Sequence, residues 1–294
     1  VTNPSLKDKR PVDVSLAVIN QLESEDIEEY LSYLKYYNKD GREYSNGERS
    51  VKRKLVAIRT FLNYLYKNKK IDSNPATIVD TPKIHDKAII RMEVNEVAQF
   101  LDNVEYGNRL TEHQQVYHEK TKVRDLAIMT LMLGTGIRVS ECVGLDINDI
   151  DFDTDRIKIV RKGGYEAYVY FGQEARNALL DYMEERKKII PVDGHEQALF
   201  LSNQRKRISV RSVENMVKKY ASVTTPLKHI TPHKLRSTYG TALYQQTSDI
   251  YLVADVLGHK DVNTTKKHYA AMDEWQRMKA KDAVTLREHP NSSK

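Results

Sequence analysis

The chain has 294 residues, 40% of them hydrophobic, with 12 Gly and 8 Pro, which is enough apolar material for two folded domains and excludes a low-complexity or disordered polymer. Its 47 Lys and Arg against 41 Asp and Glu leave a net charge of +6, so an anionic partner is admissible without being required. A single cysteine, Cys142, excludes an internal disulfide framework and paired-cysteine zinc sites, and no apolar run is long enough to span a bilayer, so a cytoplasmic protein with no membrane contact is expected.

In chain order, the first residue is Val, so an initiator has been removed or an upstream segment precedes it, and residues 1–23 are polar with prolines. Ser24 is a candidate N-cap for a helix over 25–37, where Ile27, Leu31 and Leu34 fall at helical spacing. A loop containing Gly41 and Gly47 leads to a second amphipathic helix. There Val51, Leu55, Ile58, Leu62 and Leu65 form one stripe, and Lys52, Arg53 and Arg59 lie off it. Residues 71–86, with Asn74-Pro75 and Thr81-Pro82, break the periodicity and suit a linker, which predicts domains of 1–87 and 88–294.

Beyond the boundary, helices are predicted over 93–101 and 124–133, the latter stopped at Gly134, with a polar segment over 106–122 between them that reads as a surface insertion or, second, as a DNA or protomer contact. Residues 156–160 and 165–171 flank Lys162-Gly163-Gly164, which is hairpin chemistry. Helical patterns resume at 174–188, 210–222, 233–246, 250–257, 264–271 and from 273 to about 285. The predicted class is therefore mainly α with a small antiparallel β-sheet. Basic residues concentrate in two stretches: 42–70 has nine against two acidic, and 202–240 has nine against one.

Singly, the polar residues of this second region have ordinary readings. Arg138 in Gly134-Thr-Gly-Ile-Arg138-Val-Ser-Glu141 can pair with Glu141 at a helix start, and a lysine in a hairpin turn is normally just solvated. His233 and Arg236 share a helix face, and His259 can satisfy carbonyls after Leu257-Gly258. Tyr269 is one of 18 tyrosines. In order, however, the Arg138 motif, Lys162 on a hairpin, Thr-Pro-His233-Lys-Leu-Arg236, Leu-Gly-His259 and Tyr269 resemble the active-site series of the tyrosine recombinases of the phage integrase and Xer type. The resemblance runs from about Ile27 to the C-terminus.

It implies a helical core-binding domain followed by a catalytic domain, together a C-shaped clamp on double-stranded DNA. The implied activity is site-specific recombination through a 3′-phosphotyrosine at Tyr269, by a tetramer on two DNA sites, with no cofactor and no metal. Arg138 and Arg236 would clamp the phosphate, since a planar, always charged fork matches two phosphate oxygens. His233 and His259 would assist the phenol. Lys162 would protonate the leaving 5′ oxygen; Arg161 stands beside it, and glycines at 163 and 164 favour Lys162. Glu141 would orient the arginines or merely occupy a helix surface. Lys52, Arg53 and Arg59 would contact DNA phosphates. Trp275, Met278 and Val284 offer an apolar side for docking on a neighbouring protomer. Relatives usually carry a complete helix before residue 25, and an arm-binding domain can precede it. A non-cutting DNA binder of the same fold, a helical protein-interaction module and a type IB topoisomerase are the competing readings.

Overall fold

The computed structural model describes residues 10–85, 90–161, 163–259, 261, 262 and 265. It divides into two compact units, Val1–Lys87 and Ala88–Lys294.

The first unit opens with a single helical turn, α1 (Leu16–Ile19), and then α2 (Ser24–Lys35). Glu23, rather than Ser24, is the N-cap of α2, and its backbone N–H donates to the Asp26 carboxylate at 3.0 Å. The expected loop after α2 is a β-hairpin, β1 (Tyr36–Lys39) and β2 (Arg42–Ser45), in antiparallel register with Lys39 opposite Arg42. Asp40 and Gly41 between them have φ of 54° and 74°, the left-handed pair that a two-residue hairpin turn requires. The rings of Tyr33, Tyr37 and Tyr44 lie against one another, with centroids 5.1 and 5.3 Å apart. Helix α3 (Glu48–Lys67) follows, and a 3-10 turn, Pro75–Thr77, closes the unit. Ile27, Leu31 and Leu34 of α2 bury against Val51, Leu55, Leu62 and Leu65 of α3, with Ile71, Ala76 and Val79 capping the cluster.

In the second unit the chain runs through α4 (Val94–Tyr106), α5 (Glu112–His118), α6 (Lys122–Thr135) and the short α7 (Val139–Gly144). Then come strands β3 (Ile150–Asp151), β4 (Arg156–Arg161) and β5 (Tyr165–Tyr170), followed by helices α8 (Gln173–Lys187), α9 (Val210–Thr224), α10 (Pro232–Thr247) and α11 (Ile250–Leu257). The central helix is α6, whose Ala127, Ile128, Met129, Leu131 and Met132 are fully buried because α4, α8 and α10 all pack on it. The predicted hairpin gains β3 as a third antiparallel strand, in the order β3-β4-β5. Ile157, Ile159 and Val169 face the core from one side of this sheet, while Tyr168 and Tyr170 remain exposed.

The segment 106–122 is largely exposed but folded. It carries α5, and His118 at its end is buried under Gly107, with Nε2 2.8 Å from the Val104 carbonyl. The helices predicted over 264–271, apart from Thr265, and over 273–285, with Trp275, Met278 and Val284, fall outside the described residues. Among the described residues, no helix is long and apolar enough to cross a membrane.

Candidate active site

Helix α6 ends at Gly136, whose φ of 65° is the left-handed C-cap conformation. A side chain there would also collide with its surroundings, since a Cβ would stand 2.4 Å from the Tyr239 ring and 2.9 Å from Leu257. This close approach brings α6, α10 and α11 together at one point. Two residues on, Arg138 is the N-cap of α7, and Glu141 serves it twice: its carboxylate accepts the Arg138 backbone N–H at 2.7 Å and Nη1 at 2.8 Å. The Glu141 side chain is 4% exposed and that of Arg138 36%. A buried carboxylate is costly without a hydrogen-bonded cation, so the pair fixes the base of the Arg138 guanidinium while leaving part of it open to solvent.

Pro232 at the first position and Thr231 as N-cap start α10, placing His233 in its exposed first turn and Arg236 one turn later. Arg236 is 5% exposed, and its Nη1 donates to the Gly136 carbonyl at 2.5 Å while Nη2 donates to the carbonyl of Leu257. Gly258, at φ 60°, is the C-cap of α11. Its carbonyl accepts from Arg138 Nη2 at 3.4 Å, and the carbonyls of Asp255 and Val256 accept from Arg161 at 3.2 and 3.0 Å. Four successive carbonyls at the end of α11 thus receive three guanidinium groups. The physical cause is the unsatisfied carbonyls and negative pole of a helix C-terminus, which favour cations. His259 follows directly. Its Nδ1 lies 2.7 Å from the hydroxyl of the buried Thr265, a contact that sets the ring's orientation.

Of the residues singled out by motif, Arg138, Glu141, Arg236 and His259 therefore meet at the α11 end, and His233 stands on the helix that delivers Arg236. Lys162 and Tyr269 lie outside the described residues. Burial raises the phenols of Tyr182, Tyr220 and Tyr239 above their ordinary range, and the buried Cys142 thiol is pushed up to about 12.

The phage integrase family model matches residues 91–275. The chain belongs to that family. It is 31% identical over 276 residues to the tyrosine recombinase XerC of Leptospira interrogans serogroup Icterohaemorrhagiae serovar copenhageni, covering 94% of this chain and 81% of that protein. It is 33% identical over 276 residues to the tyrosine recombinase XerS of Streptococcus agalactiae serotype III, covering 86% of this chain and 77% of that one. Among solved structures, the XerH site-specific recombinase bound to palindromic difH substrate in a post-cleavage complex shares the fold, with a TM-score of 0.71 at 18% identity over 90% of this chain and 73% of the other. The Tn1549 transposon integrase in complex with transposon right end DNA does so with a TM-score of 0.68 at 20% identity, over 90% and 87%. This chain is an Xer-like tyrosine recombinase, an enzyme of site-specific recombination.

The basic stretches of this recombinase are partly internal. In 42–70, Arg59 is turned onto its own unit, donating to the carbonyls of Ala76 at 2.9 Å and Val79 and to the Thr81 hydroxyl at 2.7 Å, whereas Lys52 is half-buried and Arg53 exposed. Arg59 thus fastens the Pro75–Thr77 turn to α3, with its donors turned to its own unit rather than held out for phosphate. In 202–240, Arg207 donates to the Val143 and Leu145 carbonyls at 3.1 and 2.8 Å, Lys219 neighbours the buried Asp125 at 3.5 Å, and Lys228 pairs with Glu96 at 2.6 Å.

Proposed function

We propose that this recombinase cleaves and rejoins double-stranded DNA through a 3′-phosphotyrosine at Tyr269, acting as a tetramer on two DNA sites in the cytoplasm, for integration and excision or for chromosome-dimer resolution. The observation that carries the reading is the convergence of Arg138, Arg236 and His259 on the end of α11. Two guanidinium heads anchored on carbonyls need no reorganisation when a phosphate arrives, which is how preorganised charge lowers the barrier to phosphoryl transfer. Tyr269 Oη attacks phosphorus as the bond to the 5′ oxygen breaks. The phenolic proton passes to His233 or His259, and Lys162 protonates the leaving oxygen. The new ester keeps the energy of the broken linkage, so the reverse attack by a 5′ hydroxyl of the partner duplex reseals the strand.

The named neighbours bound to DNA support duplex DNA as substrate, and the exposed Arg53 with Lys52 supplies the expected phosphate contacts. Glu141 is a positioning residue in this scheme, holding Arg138. The first unit serves as the core-binding domain and the second as the catalytic domain. The test is covalent trapping on a nicked duplex, selected from a random library for retention by the unchanged chain. Tyr269→Phe is expected to bind that duplex normally and form no adduct. Undiminished adduct in the variant would place the nucleophile elsewhere.

A further inference from the structure

Arg161 is the last residue of β4; it pairs with Tyr165 across the hairpin, and its carbonyl accepts the Gly164 N–H at 3.0 Å. An arginine at a hairpin end ordinarily extends into water. This one reaches instead to residues 94 and 95 positions later, where its two terminal nitrogens donate to Asp255 and Val256 at the end of α11. The guanidinium also lies close against Gly258: a Cβ there would stand 1.7 Å from Nη1 and 2.3 Å from Cζ. Gly258 is thus required twice, by its left-handed φ of 60° and by the arginine resting on it. Among the described residues the buried Nε of Arg161 has no acceptor, an unfavourable placement that the paired carbonyl bonds and the helix pole offset.

We propose that Arg161 is a positioning residue for strand cleavage: it fastens the end of β4 to the carbonyl end of α11, so that the turn it opens is held at the helix end that carries Arg138, Arg236 and His259. The residue next in sequence is Lys162, and the inference rests on its assignment above as the acid for the leaving 5′ oxygen. The guanidinium suits this role because its planar fork spans two neighbouring carbonyls, which an ammonium, a point charge on a flexible stem, does not. Its terminal nitrogens are committed to the α11 backbone as those of Arg236 are, so it is the place of Arg161 on β4 that assigns it to the turn, and the salt slope tests a direct phosphate contact.

Arg161→Ala, Arg161→Lys and Lys162→Ala, each in the full chain, would be compared on the selected nicked duplex and on the same duplex with sulfur replacing the bridging 5′ oxygen at the scissile link. Sulfur leaves without a proton, so it rescues a defect in proton delivery and no other. Loss of a general acid costs about 100-fold or more, so Arg161→Ala should lose adduct by that order on the oxygen link and return to within about tenfold of the unchanged chain on sulfur. Arg161→Lys should show a smaller loss with the same rescue, which keeps the test open if the alanine variant folds poorly. DNA affinity and its salt slope should not move in either. Equal loss on both links, alongside rescue of Lys162→Ala, would overturn the positioning role and leave the acid assignment intact. A reduced salt slope would overturn it in favour of a direct phosphate contact. Failure of sulfur to rescue Lys162→Ala would remove the acid assignment and this inference with it.

Discussion

The end of α11 and the face of α3 use the same kind of side chain in opposite ways. At α11, Arg138, Arg161 and Arg236 give N–H groups to four consecutive carbonyls, and Arg236 is buried. On α3, Arg53 is exposed and Lys52 half-buried, whereas Arg59, one or two turns further, is bound back onto its own unit. Charge alone does not distinguish these arginines. What separates them is whether unsatisfied backbone acceptors lie within reach, because a helix C-terminus or an irregular turn supplies several such carbonyls and a helix flank supplies none. Arginines committed to backbone hold architecture and, at α11, gather positive charge at one helix end. Those on the open flank remain available to steer and bind a polyanion.

Substitution should expose the difference. The largest effect is expected for Arg236→Ala, which strands the Gly136 and Leu257 carbonyls in a buried site: about 3 kcal/mol of stability, a melting temperature lower by roughly 10 °C by calorimetry, and cleavage down by about 100-fold or more. Arg236→Lys should keep the charge and still lose most of the rate, since one ammonium cannot reproduce both bonds. Next comes Glu141→Ala, which frees the Arg138 backbone N–H and guanidinium together. Denaturant unfolding should register about 2 kcal/mol, and DNA affinity should change little while adduct formation slows.

Arg59→Ala tests the other side of the comparison. Its loss should cost about 1–2 kcal/mol of stability in the first unit and leave the dependence of DNA affinity on salt unchanged. A lowered salt slope in this variant would show that Arg59 meets phosphate after all. Smallest in stability are Lys52→Ala and Arg53→Ala, each expected within about 0.5 kcal/mol by unfolding; yet each should reduce the salt slope by about one, on specific and random duplexes alike.

Much of this architecture was legible in the sequence because burial leaves a period. The stripes of α2 and α3, the stop of α6 and the glycine-rich turn after β4 announced themselves through apolar spacing and turn residues. Hairpin β1–β2 did not, although Asp40-Gly41 is a turn signal, because its strands, Tyr36–Lys39 and Arg42–Ser45, lack the apolar alternation that a half-buried strand shows. Helix α5 was hidden for a related reason: one buried histidine, His118, anchors it rather than a stripe. The site's motif residues could be named in order, but not their anchoring. Arg161 and Arg59 bind main-chain carbonyls, and a carbonyl belongs to every residue type, so no pairing of side chains in the sequence records the contact. Glu141 is the instructive contrast, since its side-chain partner three residues earlier could be read directly.

The central claim is that the charge assembled at the end of α11 serves attack by Tyr269 on a DNA phosphate. The most direct measurement is to trap the covalent complex on the selected nicked duplex, digest both polymers, and locate by mass spectrometry the peptide that retains a nucleotide, in the unchanged chain and in Arg236→Ala. One modified peptide is expected, with the nucleotide 3′-phosphate esterified to Tyr269, and its loss in the variant. A nucleotide on any other residue, or undiminished modification of Tyr269 without Arg236, would contradict it.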